Sequence, residues 1–257
     1  MTEAHLLATN EVNARRRMLI QAVGAVGASF ALAPETLYPQ AKGAVMKIGI
    51  IGSGNIGGTL GVLWAKAGYD VFFSSRHPDQ LGDLVKRGGP SAQAGMPREA
   101  AAFGDVVLIS VPYGAVPQVG RDFAAELAGK VVLETGNPYP SRDGAMAEPA
   151  LAKGTGLSSA EFLPGVRLVR AFNSIPAGAL ASQANRAGER IGVPLAGDDA
   201  GALEVAARLV RDAGFEPVVV GSLASAKKFD RGTSVYGQAL TARELRQRLG
   251  IDQPTKP

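Results

Sequence analysis

Short apolar segments alternate with amphipathic segments along most of the chain. Strands are predicted at residues 48–51, 70–74, 105–111, 130–134, 167–171, 191–196 and 217–220. Helical spacing of apolar residues predicts helices at residues 56–67, 98–103, 116–127 and 199–213. Alternation of this kind favours a parallel sheet with helices on both faces. We therefore predict an α/β protein: a Rossmann doubly wound parallel sheet with a smaller C-terminal α/β extension.

The first predicted strand runs directly into a glycine-rich turn, Gly52-Ser53-Gly54-Asn55-Ile56-Gly57. In dinucleotide-binding turns the first glycine allows a tight turn and the second lets the backbone approach a pyrophosphate. The third glycine allows close packing of helix and strand. The N–H groups at the start of the following helix then face the phosphates. A glycine-rich turn that holds no nucleotide is the alternative, because the chain contains 33 glycines.

The end of the second predicted strand indicates which dinucleotide binds. NAD-binding units place an acidic residue there to bind the ribose 2′-hydroxyl, whereas this chain has Ser74-Ser75-Arg76 and no acid before Asp79. A guanidinium offers a planar set of donors to a 2′-phosphate. The sequence therefore predicts NADP as the cofactor, unless Arg76 is an ordinary solvated loop residue.

Three further strand ends carry candidate site residues, because ligands bind beyond the carboxyl ends of such strands. We expect Val111, Pro112 and Tyr113 after one strand, and Asn137 after the next, to contact the cofactor. Asn173 follows the strand after that and is expected to border the nicotinamide. Proline-fixed turns and a helix cap are the structural alternatives for these residues.

The N-terminal region is typical of an export signal. A triple arginine at residues 15–17 precedes an apolar run at residues 19–33, which is too short and too rich in small residues for a membrane span. The arginines before Met18 resemble a twin-arginine signal, which exports folded proteins. A disordered or amphipathic N-terminal helix is the alternative, with a cytoplasmic location. We expect residues 1–41 to be signal and linker, followed by a periplasmic enzyme.

Composition excludes several other kinds of site. The chain has no cysteine and only two histidines, His5 and His77, which argues against thiolate catalysis, a histidine-based triad and a metal site. The net charge of +4 contains no block of like charges, so nucleic-acid binding is not implied.

These segments together resemble the F420H2:NADP oxidoreductase family and, more distantly, the NADP-binding domain of the STEAP metalloreductases. The matching pieces are residues 47–57, 74–76, 105–113, 168–176, 193–199 and 215–226. The resemblance implies an NADP-dependent oxidoreductase that transfers a hydride directly between NADP(H) and a deazaflavin (coenzyme F420) or flavin-like acceptor. Residues 227–232 do not match the family's acceptor-binding part.

By position, the resemblance assigns Ser53, Asn55, Ile56, Ser75 and Arg76 to the phosphates of NADP. It assigns Pro112, Tyr113 and Asn137 to the nicotinamide half, and the acceptor pocket to Asn173, Ile175, Pro176, Ser222 and Leu223. We expect an NADP-binding Rossmann domain at residues 46–166, a smaller C-terminal acceptor-binding part at 167–245 and a flexible tail at 246–257. Because hydride transfer depends on alignment of two rings, no catalytic proton-transferring side chain is expected.

Two other functions stay open. One is an imine reductase like pyrroline-5-carboxylate reductase, although such enzymes normally add a long helical dimerisation domain. The other is an NADP-binding sensor or accessory protein without turnover. For the oxidoreductase, a homodimer is the oligomeric state that stays open beside a monomer.

Overall fold

Eight strands lie side by side in one sheet, in the order β3-β2-β1-β4-β5-β6-β7-β8. The computed structural model describes residues 45–251, and the predicted export segment at residues 1–41 lies outside this range. The strands are β1 Lys47–Ile51, β2 Asp70–Ser74, β3 Ala92–Gly95, β4 Val106–Ile109, β5 Val131–Glu134, β6 Arg167–Arg170, β7 Gly192–Gly197 and β8 Glu216–Gly221. The predicted Rossmann architecture is thus confirmed, with β3 as a strand that the sequence pattern did not reveal.

The sheet reverses direction between β6 and β7. From β3 to β6 in the sheet order, all neighbouring strands are parallel to one another. Strands β6 and β7 are antiparallel, with Val169 opposite Gly197. Strand β8 is parallel to β7. Because β7 and β8 run the opposite way, their carboxyl ends lie at the edge of the sheet opposite the carboxyl ends of β1, β4, β5 and β6.

Helices cover both faces of this sheet. They are α1 Asn55–Lys66, α2 Gly82–Gly88, α3 Pro97–Phe103, α4 Val116–Asp122, α5 Ala124–Leu127, α6 Pro140–Asp143, α7 Ala147–Lys153, α8 Thr155–Phe162, α9 Ala177–Ser182, α10 Ala200–Asp212 and α11 Ala242–Leu249. Within residues 45–251, four 3₁₀ helices lie at Pro78–Leu81, Tyr113–Ala115, Gly144–Met146 and Leu223–Phe229. None of the helices within residues 45–251 has the length and apolarity needed to span a membrane.

The two faces of the sheet bury separate apolar clusters because side chains alternate along each strand. Ile50 and Leu108 pack on the face covered by α1 and α10, whereas Val107 and Ile109 belong to the cluster on the other face. The Trp64 indole N–H of α1 donates a hydrogen bond of 2.8 Å to the Leu209 carbonyl of α10. This bond ties α1 to a helix of the C-terminal part.

Residues from Val45 onward form one compact unit. The domain boundary expected near residue 166 falls between β5 and β6, which are hydrogen-bonded neighbours in the sheet. The tail expected from residue 246 is helical up to Leu249, because α11 packs Leu245 into a third cluster with Phe229. Residues 138–164, between β5 and β6, contain the three helices α6, α7 and α8.

Candidate functional site

The glycine turn after β1 brings three chain segments into close contact. Gly52 has a φ of +96°, and a Cβ on it would lie 2.4 Å from the Ser110 carbonyl oxygen. A Cβ on Gly57 would lie 2.2 Å from the Gly52 carbonyl oxygen. Only glycine fits these two positions without displacement of backbone. The turn therefore holds the start of α1 directly beyond the ends of β1 and β4.

The start of α1 is suited to an anion. Its N-cap, Gly54, provides no side-chain hydrogen bond to the helix, and its first turn has no acidic residue. A Cβ on Gly54 would meet no atom within 4 Å, so the backbone is open to a ligand. Unpaired N–H groups and the positive end of the helix dipole favour negative charge at this position.

Hydrogen bonds between the glycine turn and β2 fix the end of the second strand. The Ser53 backbone N–H donates to the Ser74 carbonyl at 3.0 Å, and the Ser74 backbone N–H donates to Ser53 Oγ at 2.9 Å. The Ser74 hydroxyl is fully buried and donates to the Ile50 carbonyl at 2.6 Å. Ser74 is therefore a structural residue, and Ser75 and Arg76 extend beyond it towards the ligand space.

A first cavity of about 660 Å³ opens at the carboxyl ends of β1, β2 and β4. Its wall includes the predicted residues Gly52, Ser53, Gly54, Ser75, Arg76, Val111 and Pro112. Sequence reasoning missed its apolar side, formed by Leu81, Leu84, Val119 and Phe123. Arg76 is exposed and makes no hydrogen bond or ion pair within residues 45–251. An apolar wall beside a free guanidinium fits an adenosine with a phosphate on its ribose.

A second cavity of about 610 Å³ adjoins the first, and both include Gly54, Ser110, Val111 and Pro112 in their walls. The predicted residues Asn55, Ile56, Asn137, Asn173, Ile175 and Pro176 line it. The Asn137 amide donates to the Asn173 carbonyl at 2.8 Å, and the Asn173 amide donates to Asn137 Oδ1 at 3.3 Å. These two bonds hold the ends of β5 and β6 together at the base of the cavity.

Tyr139, Arg142 and Tyr236 also line the second cavity, and sequence reasoning did not identify them. The Tyr139 and Tyr236 hydroxyl groups are hydrogen-bonded at 2.5 Å, although 97 positions separate them along the chain. Burial and then the hydrogen bond to Tyr139 raise the pKa of Tyr236. The sequence alone does not indicate the tyrosine pair, because the two residues are distant along the chain and meet only when it is folded.

Asp143 holds this wall in place. Its carboxylate accepts hydrogen bonds from the backbone N–H groups of Gly114 at 3.0 Å and Tyr139 at 2.8 Å, and it pairs with Arg142 at 2.8 Å. Burial alone would raise the pKa of Asp143, but the hydrogen bonds from Arg142 and the two backbone groups outweigh it, and the pKa is lowered. Arg142 also donates to the Asn137 carbonyl at 2.7 Å.

Tyr113 does not line either cavity, contrary to expectation. Its side chain is fully buried, and its hydroxyl lies 3.1 Å from Ser159 Oγ and 3.3 Å from the Thr155 carbonyl. The 3₁₀ helix that begins at Tyr113 turns the ring away from the cleft and into the core beneath α8. Burial raises the pKa of Tyr113, so its hydroxyl stays protonated.

Ser222 and Leu223 likewise lie away from the second cavity. They follow β8, whose reversed direction carries them to the opposite edge of the sheet. Leu223 lines a separate cavity of about 390 Å³ beside Arg167, and its N–H donates to Asp198 at 2.9 Å. The expected assignment of Ser222 and Leu223 to the acceptor pocket is therefore corrected, because both residues lie at the opposite edge of the sheet. The 3₁₀ helix that starts at Leu223 returns to the cleft, where the Phe229 carbonyl accepts a bond from Asn173.

Within residues 45–251, no group of three or more histidine, cysteine, aspartate or glutamate side chains is arranged to hold a metal ion. Both cavities are lined by glycines, apolar side chains, and serine and amide side chains. Arg76 and one carboxylate, Asp122, also line the first cavity, and Arg142 and two tyrosines also line the second. This donor set fits a phosphorylated organic ligand.

Comparison with known proteins shows which proteins this chain resembles. Residues 47–138 match the model of the family described as NADP oxidoreductase coenzyme F420-dependent. The chain is 31% identical over 195 residues to the metalloreductase STEAP3 of Rattus norvegicus, covering 72% of this chain. The chain spans only 36% of the length of STEAP3.

Two smaller proteins match over most of their length. The F420-dependent NADP reductase of Methanothermobacter thermautotrophicus is 29% identical over 206 residues, which cover 75% of this chain and 88% of that protein. The crystal structure of a hypothetical protein from Sinorhizobium meliloti superposes with a TM-score of 0.67 at 26% identity, covering 77% of this chain and 96% of that one. The resemblance stated from the sequence is confirmed: residues 47–138 match the F420-dependent NADP oxidoreductase family model, and the chain is similar to an F420-dependent NADP reductase and to a STEAP metalloreductase.

Proposed function

We propose that the protein is an NADPH-dependent reductase that transfers a hydride between NADP(H) and a deazaflavin (coenzyme F420) or a flavin-like acceptor. The observation that carries the proposal is the pair of adjoining cavities, which meet at Gly54, Ser110, Val111 and Pro112. One has the chemistry for a phosphorylated adenosine, and the other has space for a second planar ring. When bound, NADPH supplies the hydride.

In this proposal the chain's own residues bind and align the reactants. The N–H groups at the start of α1 hold the pyrophosphate, and Arg76 holds the 2′-phosphate. Asn137 and Asn173 fix the base of the nicotinamide half through their mutual hydrogen bonds. Because alignment of the rings is the main requirement of hydride transfer, no side chain is assigned a proton-transfer role.

The C-terminal part supports this function over an imine reductase. After β6 the chain adds β7 and β8 to the same sheet, and the longest helix within residues 45–251 is α10, with 13 residues. The long helical dimerisation domain typical of that alternative is therefore not built by this segment.

Mixing the purified protein with NADPH and a panel of acceptors tests the proposal. The panel contains coenzyme F420, FMN, riboflavin and a ferric chelate, and the measurement is the loss of NADPH absorbance. Oxidation of NADPH in the presence of a deazaflavin or a flavin supports the proposal. Oxidation of NADPH by the ferric chelate alone does not support it. Tight NADPH binding without oxidation by any acceptor contradicts it and favours a sensor.

We further propose that residues 1–41 direct export of the folded, nucleotide-loaded enzyme. The support is the sequence pattern of three arginines at positions 15–17 followed by a short apolar run.

A further inference from the structure

The outer wall of the second cavity combines aromatic rings with positive charge. Tyr139, Arg142 and Tyr236 line the cavity, and the Arg231 guanidinium lies 4.9 Å from the centre of the Tyr139 ring. The Arg142 guanidinium lies 5.0 Å from the same ring. We call these four residues the tyrosine–arginine cluster.

The charge of Arg231 is not neutralised by a neighbour. Arg231 is exposed and makes no hydrogen bond or ion pair with any residue of the described range. The adjacent carboxylate of Asp230 is buried and turned inwards, where it accepts a bond of 2.9 Å from the Thr155 N–H. Arg142, by contrast, is paired with Asp143. The cluster therefore carries an uncompensated positive charge next to Tyr139, a residue of the cavity wall.

The tyrosine pair adds a further hydrogen-bond donor. In a hydrogen bond between two hydroxyl groups, one donates and the other keeps its own proton. Neither Tyr139 nor Tyr236 makes another side-chain hydrogen bond within the described residues. The raised pKa of Tyr236 keeps its hydroxyl protonated at neutral pH. The remaining O–H of the tyrosine pair and the N–H groups of Arg231 are thus available to donate hydrogen bonds. They favour a ligand that is rich in hydrogen-bond acceptors.

We infer that the tyrosine–arginine cluster binds an anionic group, a phosphate or a carboxylate, on the side arm of the electron acceptor. The inference rests on the proposed function and deepens it: among acceptors with the same ring, the enzyme favours the one that carries negative charge. Arg231 is then a specificity-determining residue. It lies in residues 227–232, the stretch that the family resemblance leaves unmatched.

FMN and riboflavin provide the test, because they share one ring system and differ by a terminal phosphate. The efficiency of NADPH oxidation, kcat/KM, is measured for both flavins with the wild-type protein and with Arg231→Ala. We expect Arg231→Ala to lower the value for FMN about tenfold, the effect of losing one charge-assisted hydrogen bond, and to leave riboflavin unchanged within about twofold. Arg231→Lys retains the charge and is expected to retain most of the preference for FMN.

Lys66→Ala is the matched control. Lys66 is an exposed cation at the far end of α1, about 16 Å of helix away from the start of α1 at the cleft. Its removal lowers the net charge by the same amount and is expected to change neither flavin's kcat/KM. An equal loss for both flavins in Arg231→Ala, or a loss in the Lys66→Ala control, overturns the inference.

The phosphates of NADP are the other anions near this cavity, so NADPH affinity is measured in parallel. A fall in NADPH affinity in Arg231→Ala, with the FMN preference intact, means that Arg231 serves the nucleotide and overturns the inference. If no acceptor is reduced, the proposed function fails, and flavin binding to the NADP-loaded protein is measured by fluorescence. Tighter binding of FMN than riboflavin that Arg231→Ala abolishes still supports the anion site; equal or absent binding overturns it.

Discussion

Glu134 and Arg170 face each other on the neighbouring strands β5 and β6, and both side chains are fully buried. Arg170 also donates to the Gly136 carbonyl at 2.7 Å, and the Gly136 N–H donates to the Glu134 carboxylate. Ser159 adds a bond of 2.9 Å to the same carboxylate. The two members of the ion pair therefore hold the backbone N–H and the backbone carbonyl of Gly136, which lines the second cavity.

Removal of the Glu134 charge leaves a buried guanidinium without a counter-ion. We expect Glu134→Gln to lower the free energy of unfolding by about 3–5 kcal/mol, measured by urea denaturation. The double variant Glu134→Gln with Arg170→Met removes both charges and is expected to lose less than Glu134→Gln alone. The single variant Arg170→Met is measured as well. If the loss of unfolding free energy in the double variant equals the sum of the losses in the two single variants, an unpaired buried charge is not the cause.

Arg76 is predicted to distinguish the two nicotinamide dinucleotides. Its guanidinium is free in the described structure and lines the first cavity, and a charge-assisted bond to phosphate contributes about 1.5–3 kcal/mol. Arg76→Ala is therefore expected to weaken NADPH binding about tenfold or more while leaving NADH binding nearly unchanged, as measured by calorimetry. Equal losses for both nucleotides would refute the role of Arg76, and Lys66→Ala serves as the control for general charge effects.

The third glycine of the turn is predicted to tolerate no side chain. A Cβ on Gly57 would lie 2.2 Å from a backbone oxygen, which cannot move aside as a side chain can. We expect Gly57→Ala to destabilise the fold by about 1–3 kcal/mol and to weaken NADPH binding strongly. Gly82→Ala is the matched control, because a Cβ there meets nothing within 4 Å and its φ is −54°. Comparable losses of stability and of NADPH binding in Gly57→Ala and Gly82→Ala would contradict the steric explanation.

The nucleotide half of the site could be predicted because local sequence determines it. The glycine turn, the second strand at Asp70–Ser74 and the arginine that follows lie within about thirty residues of one another. Their roles follow from backbone geometry and from the chemistry of phosphate. The fold class could be predicted for the same reason, because every strand except β3 shows its own apolar pattern, as do the two longest helices, α1 and α10.

The acceptor half could not be predicted to the same extent, because it depends on long-range topology. The resemblance assigns Ser222 and Leu223 to the pocket by position, whereas the reversal at β7 places them at the opposite edge of the sheet. No local pattern signals that reversal. The pairing of Tyr139 with Tyr236 likewise appears only when the 3₁₀ helix Leu223–Phe229 brings the chain back to the cleft.

Asp199 is predicted to give the protein an acid-sensitive contribution to stability. A hydrogen bond from Arg167 and the N–H of Ala202 lower the pKa of Asp199 from 3.8 to about 2. The ionised carboxylate therefore stabilises the folded state above about pH 4, and this contribution is lost as the pH falls towards 2. We expect Asp199→Asn to be less stable than wild type at neutral pH, with a difference that shrinks towards pH 2 in thermal unfolding. A difference that stays constant with pH would rule out the ion pair.

The proposed export signal can be tested in cells without disturbing the enzyme, because residues 1–41 lie outside the segment that builds the sheet. Arg16→Lys with Arg17→Lys keeps the positive charge but removes the arginine pair that a twin-arginine signal requires. We expect the wild-type protein in the periplasmic fraction of a bacterial host and the double variant in the cytoplasm, with equal NADPH binding by both. Because a twin-arginine signal exports folded proteins, Gly57→Ala should also reduce export if it impairs folding. Wild-type protein that stays in the cytoplasm would reject the signal while leaving the reductase proposal intact.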